Sequence, residues 1–183
     1  DEHTSRGLGD VYKRQSKGVL GDLGVHIFDF ASYPVGKINK INCRLKTFKD
    51  KGEKIGEYTL DANDSFVSMV EFENGAIGTV SSTRFATGNV NKLDLKIYCD
   101  KGAVSMKFDD PITQGNTYSI CTDINATSPN NEKGLDWKTI KTDPTPSNYE
   151  RFIHSIKTGK NDQPDFKRGA DIQKILDSCF ISS

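Results

Sequence analysis

The sequence predicts an α+β domain: a largely antiparallel open sheet with helices packed on one face. Three observations carry this. One early segment has helical periodicity, a long middle stretch alternates with tight-turn signals between its strands, and helical periodicity returns only at the end. Elements segregated in this way, rather than alternating, build an antiparallel sheet covered by helices.

The first element spans about Gly21 to Tyr33, GDLGVHIFDFASY. Leu23, Val25, Ile27, Phe28, Phe30 and Ala31 cover most of its circumference, while Asp22, His26, Asp29 and Tyr33 fall at i, i+4, i+7 and i+11. In an α-helix that spacing is one polar stripe, expected to face a cavity or a polar partner. Pro34 and Gly36 are stop signals.

The period then shortens toward two. Ile41 to Phe48 reads as a strand. Ser65 to Phe72 and Ala76 to Phe85 flank Glu73-Asn74-Gly75, and Asn-Gly supplies the positive φ of a tight hairpin turn. Leu93 to Cys99 and Ala103 to Phe108 flank Asp100-Lys101-Gly102 as a second hairpin, and Tyr118–Thr122 and Trp137–Ile140 read as short strands. The segment TDINATSPNNEK, residues 122–133, is rich in turn formers and reads as an exposed loop.

Ser147 with Glu150 forms a capping-box signature, followed by Tyr149, Phe152, Ile153 and Ile156 at helical spacing, with Gly159 as the stop. A last helix is expected from about Gly169, burying Ile172, Ile175, Leu176 and Cys179. Residues 1–15 carry no sustained apolar period and read as a non-native or disordered tail, and residues 16–183 as one domain.

Composition narrows the function. Lys plus Arg equals Asp plus Glu at 25 each, so charge offers no reason to expect nucleic acid or an anionic membrane. No apolar run approaches the ~20 residues of a membrane helix and no secretory h-region is present, which points to the cytoplasm. The four widely spaced cysteines, Cys43, Cys99, Cys121 and Cys179, form no CxxC and read as reduced thiols, with an oxidised reading kept open by their even number. Only three histidines occur, with no HExxH, so no metal is expected.

The chemistry-bearing candidates start with Asp22 and His26. A carboxylate one helical turn from an imidazole suits general acid/base work near neutral pH, and equally suits a helix cap beside a satisfied core histidine. Gly18, Gly21 and Gly24 do not form the GxGxxG dinucleotide fingerprint, and no strand precedes them. The small residues Gly78, Ser81, Ser82 and Thr83 allow close approach of a subunit or ligand, and the planar fork of Arg84 suits either a polar substrate or a surface ion pair.

With these residues in view, the chain resembles the C-terminal domain of the glucose–fructose oxidoreductase, inositol dehydrogenase and rhizopine-catabolism (Gfo/Idh/MocA) family over roughly residues 18–180. The motif D-x-G-x-H stands here as Asp22-Leu23-Gly24-Val25-His26, followed by Asp29 and Gly36; FENGAIGTV, DKGAV, NYERF and QKILDS then follow in the family's order.

The resemblance implies a two-domain enzyme that interconverts a secondary alcohol and a ketone on a sugar or cyclitol, with NAD or NADP held by an N-terminal Rossmann domain. It implies that His26 is the general acid/base, that Asp22 is its charged partner and a substrate ligand, and, more distantly, that Arg84 and Asn91 bind substrate. It also implies a homo-oligomer formed through the sheet face. The family's Glu-Lys-Pro motif and GxGxxG are absent, so the Rossmann half is missing from this sequence and the chain alone is expected to be inactive. The alternative is a non-catalytic sugar-sensing or oligomerisation module of the same fold.

Overall fold

The computed structural model describes residues 17–48, 54–55, 58–59, 61–89, 92–108, 117–122 and 137–183. The tail of residues 1–15, Asn91 and residues 123–133 of the expected loop lie outside them. The chain divides into two compact units, Asp1–Ala86 with Gln163–Ser183, and Thr87–Asp162.

The first unit begins at a fixed point. Gly18 has φ +71°, and a Cβ there would stand 2.4 Å from the Asn63 carbonyl oxygen, so only glycine fits. The Val19 N–H donates to that carbonyl at 2.8 Å, and the Leu20 N–H donates to the Asn63 Oδ1 at 2.9 Å. A distant asparagine thus satisfies N–H groups that the start of a helix leaves unpaired. Leu20–Gly24 then form a π turn, which runs directly into α1, Val25–Val35. Gly36, at φ +127°, ends α1, its N–H donating to the Ser32 carbonyl.

Three antiparallel strands follow in the order β1 (Ile38–Lys46), β4 (Ser65–Phe72), β5 (Ile77–Thr83), while β2 (Lys54–Ile55) and β3 (Tyr58–Thr59) form a separate ribbon. The expected Asn-Gly turn is present: Gly75 has φ +86°, and the Asn74 Oδ1 accepts the Ala76 N–H. Alternation along β4 sends Phe66, Ser68, Val70 and Phe72 inward. The last helix, which we label α3 (Phe166–Ser182), contributes Ile172, Leu176 and Cys179 to the same interior. Phe28 of α1 stacks on Phe66 with centroids 5.7 Å apart. Each such fully buried side chain contributes roughly 1.5–3 kcal/mol. Arg168 of α3 reaches back to α1, donating to the Asp29 carboxylate at 2.6 Å and to the Ser32 hydroxyl at 2.8 Å. The helices therefore cover one face of this sheet, and the other face leaves Val67, Met69 and Ile77 exposed.

The second unit is a four-stranded antiparallel sheet in the order β6 (Leu93–Cys99), β7 (Gly102–Phe108), β8 (Thr117–Cys121), β9 (Lys138–Lys141). Helix α2, Asn148–Thr158, starts with the expected capping box and ends at Gly159 in the left-handed region. Its apolar residues Tyr149, Phe152, Ile153 and Ile156 are exposed. The architecture is α+β with antiparallel sheets, as the sequence predicts.

All four cysteines are free. Cys43 on β1 and Cys179 on α3 face each other in the core of the first unit, and burial pushes both thiols above the ordinary range.

Candidate active site around the π turn

The π turn changes where the polar stripe goes. Its i→i+5 bonding breaks the α-helical register between Asp22 and His26. The Asp22 carboxylate is not hydrogen-bonded to His26. Its Oδ2 instead accepts from the Arg84 Nη2 at 2.7 Å. The Asp22 side chain is 51% exposed and that of Arg84 31%. Further along, Asp29 belongs to Arg168, and Tyr33 stands beside the same guanidinium with 70% exposure. The stripe therefore divides. Its first residue is joined to the end of β5, its third to α3, and His26 lies between them, exposed and without a hydrogen-bond partner among the described residues.

Arg84 is in place because the backbone before it is anchored. Its N–H donates to the Asp64 carbonyl at 3.0 Å, and the Asp64 N–H donates to the Lys46 carbonyl at 2.9 Å. The Asp64 Oδ2 accepts the Phe48 N–H at 2.8 Å. One buried aspartate thus links the end of β1, the start of β4 and the turn after β5. Sequence reasoning did not single out Asn63 or Asp64. The signal was a polar Asn-Asp dipeptide immediately before an apolar strand, where such side chains bond to backbone rather than to solvent.

Asp22 and Arg84 thus meet at 2.7 Å, His26 lies on the helix that the π turn runs into, and Asn91 lies outside the described residues. A separate cleft of about 240 Å³, lined in part by Lys40, Ile41, Lys174 and Ile175 between β1 and α3, includes none of the three.

The three glycines before His26 do not form a phosphate cradle. A Cβ on Gly18 would meet Asn63, and one on Gly24 would stand 3.0 Å from Leu20, 3.5 Å from Leu176 and 3.5 Å from Phe66. Gly18 and Gly24 therefore serve packing. No group of three or more metal-ligating side chains occurs among the described residues. None of their helices is long and apolar enough to cross a membrane.

Comparison with known proteins places the fold. Levoglucosan dehydrogenase of Pseudarthrobacter phenanthrenivorans is 28% identical in an alignment of 107 positions that covers 50% of this chain and 27% of that protein. A solved levoglucosan dehydrogenase in complex with NADH and levoglucosan has a TM-score of 0.73 at 22% identity, covering 91% of this chain and 48% of that one. An oxidoreductase domain protein from Kribbella flavida has a TM-score of 0.70 at 24% identity, covering 91% of this chain and 49% of that one. At these identities the solved structures speak to the fold, and the chain spans about half their length. The family described as GFO/IDH/MocA C-terminal domain matches residues 5–105, more than half of the sequence. By that match, and with D-x-G-x-H standing at the junction of π turn and helix, the chain belongs to the GFO/IDH/MocA C-terminal domain family.

Proposed function

We propose that this chain is the substrate side of an oxidoreductase that interconverts a secondary alcohol and a ketone on a sugar or cyclitol. The observation that supports it most is His26: an exposed imidazole without a hydrogen-bond partner among the described residues, between two carboxylates along the chain that are each held by an arginine. An imidazole left free in this way can take a proton from a substrate hydroxyl or return it to a carbonyl. Asp22 keeps one carboxylate oxygen to accept from a neighbouring hydroxyl, and Arg84 and Asn91 serve as further substrate ligands.

In this reaction class the hydride belongs to a nicotinamide, NAD or NADP. The proposal assigns its binding mainly to a dinucleotide-binding half outside the residues of this chain, with which the chain would act. A solved levoglucosan dehydrogenase in complex with NADH and levoglucosan, of which this chain covers 48%, supports that division. The enzyme works in the cytoplasm, with no nucleic acid or membrane as partner.

The test joins this chain to a dinucleotide-binding half and assays a broad panel of sugars and polyols. His26→Ala is expected to lower kcat by about 10² or more. A protein inert on the whole panel, or a variant with an undiminished rate, overturns the reading.

The second reading, a non-catalytic sensing or oligomerisation module, draws on the exposed Val67, Met69 and Ile77 of the open sheet face. That face also suits a homo-oligomer of the enzyme. Sedimentation of the wild type and of Met69→Asp separates a self-associating face from an idle one.

A further inference from the structure

We infer that Arg84 is a positioning residue: it holds the Asp22 carboxylate in one orientation on the π turn that leads into the helix bearing His26. The inference rests on the enzyme reading above and adds a part that the family motif does not contain.

The bland account is a surface ion pair, and exposed pairs of that kind contribute little. Four observations argue for more. The contact is short, at 2.7 Å, and joins residues 62 apart in sequence. The Arg84 side chain is 31% exposed, and its backbone is tied through buried Asp64 to two strands. Asp22 sits on a π turn whose start is pinned by Asn63, so both ends of the contact are fixed to the same sheet. Among the described residues Asp22 has no other hydrogen-bond partner, so without Arg84 its carboxylate is free to rotate about χ1 and χ2.

Geometry then assigns the division of labour. Arg84 spends one of its five N–H donors on the Asp22 Oδ2. The Asp22 Oδ1 is left open to a substrate hydroxyl. Fixing one acceptor before substrate arrives is preorganisation, and misplacing a group of this kind costs rate more than it costs binding.

The test has two arms. In the full chain, nitrogen-15 NMR of the Arg84 guanidinium reads its rotation. Slow rotation with resolved Nη–Hη signals is expected in the wild type, averaging in Asp22→Asn, and retention in Asp22→Glu. Signals that are averaged in the wild type, or unchanged in Asp22→Asn, overturn the inference. In the chain joined to a dinucleotide-binding half, Arg84→Gln is expected to lower kcat roughly tenfold to a hundredfold while KM moves less, with partial recovery in Arg84→Lys. A rise in KM with kcat intact overturns it, because Arg84 is then a substrate ligand alone. If Asp22→Asn and His26→Ala also leave kcat intact, it is the acid/base site of the reading above that has failed, and the NMR arm still decides the clamp.

Discussion

The two units of the chain carry similar alternating strands and bury them very differently. Every buried apolar residue among those described, except Cys121, belongs to the first unit. There, β4 alternates between buried and exposed positions, because α1, the π turn and α3 form a second layer over the sheet. In the second unit β6 alternates just as regularly, yet Leu93, Leu95 and Ile97 are only half-buried, and α2 exposes its apolar side. Alternation in sequence thus reports which face of a strand points inward. How deep that face lies depends on what is laid against it.

The largest effect that would sharpen this contrast is expected at Phe66. Phe66→Ala removes a fully buried ring stacked on Phe28 and should cost about 3–5 kcal/mol in denaturant unfolding. Amide exchange should show protection lost in β4 and kept in β7; equal loss in both would mean that the units unfold as one, and the contrast would break. A smaller cost, about 2 kcal/mol, is expected for Gly18→Ala, which combines left-handed strain with a clash against the Asn63 backbone. Gly88→Ala, at φ +83° with nothing within 4 Å of the added Cβ, carries the strain alone and should cost less. If the two variants cost the same, the close approach at Gly18 contributes nothing.

Ile97→Ala in the half-covered sheet should cost roughly 1–2 kcal/mol, well below Phe66→Ala. A cost equal to that of Phe66→Ala would show that the second sheet is as well covered as the first. The smallest effect is expected at the cap of α2. The Ser147 hydroxyl and N–H hold the Glu150 carboxyl below its ordinary value. A lowered folded value contributes stability above the ordinary carboxylate range and loses it as pH falls through the lowered value. Ser147→Ala should remove that acid limb from the unfolding of α2, followed by NMR, and leave β4 unchanged. An acid limb that persists in the variant would locate it at other carboxylates.

Some of this was written locally in the sequence. Gly75 and Gly159 take the positive φ that their turns demand, and the Ser147–Glu150 box closes as its spacing predicts. Helix α3 begins at Phe166, three residues before the Gly169 expected from periodicity, because Asp165 caps it by accepting the Arg168 N–H at 2.8 Å. The cap was visible as an aspartate after Pro164, but apolar spacing starts only later and concealed the first turn.

What the sequence determined by itself was the fold class, the strand and helix order and the D-x-G-x-H motif, because these rest on contacts within a few residues: turn φ angles, side-chain periodicity and caps. The tertiary structure alone decided the π turn, the pinning of its start by Asn63 and the meeting of Asp22 with Arg84 across 62 residues. Those depend on which strand lies beside which helix, and no local spacing encodes that. Only in the folded chain does Asp22, on the π turn, meet a guanidinium that the sheet holds in place.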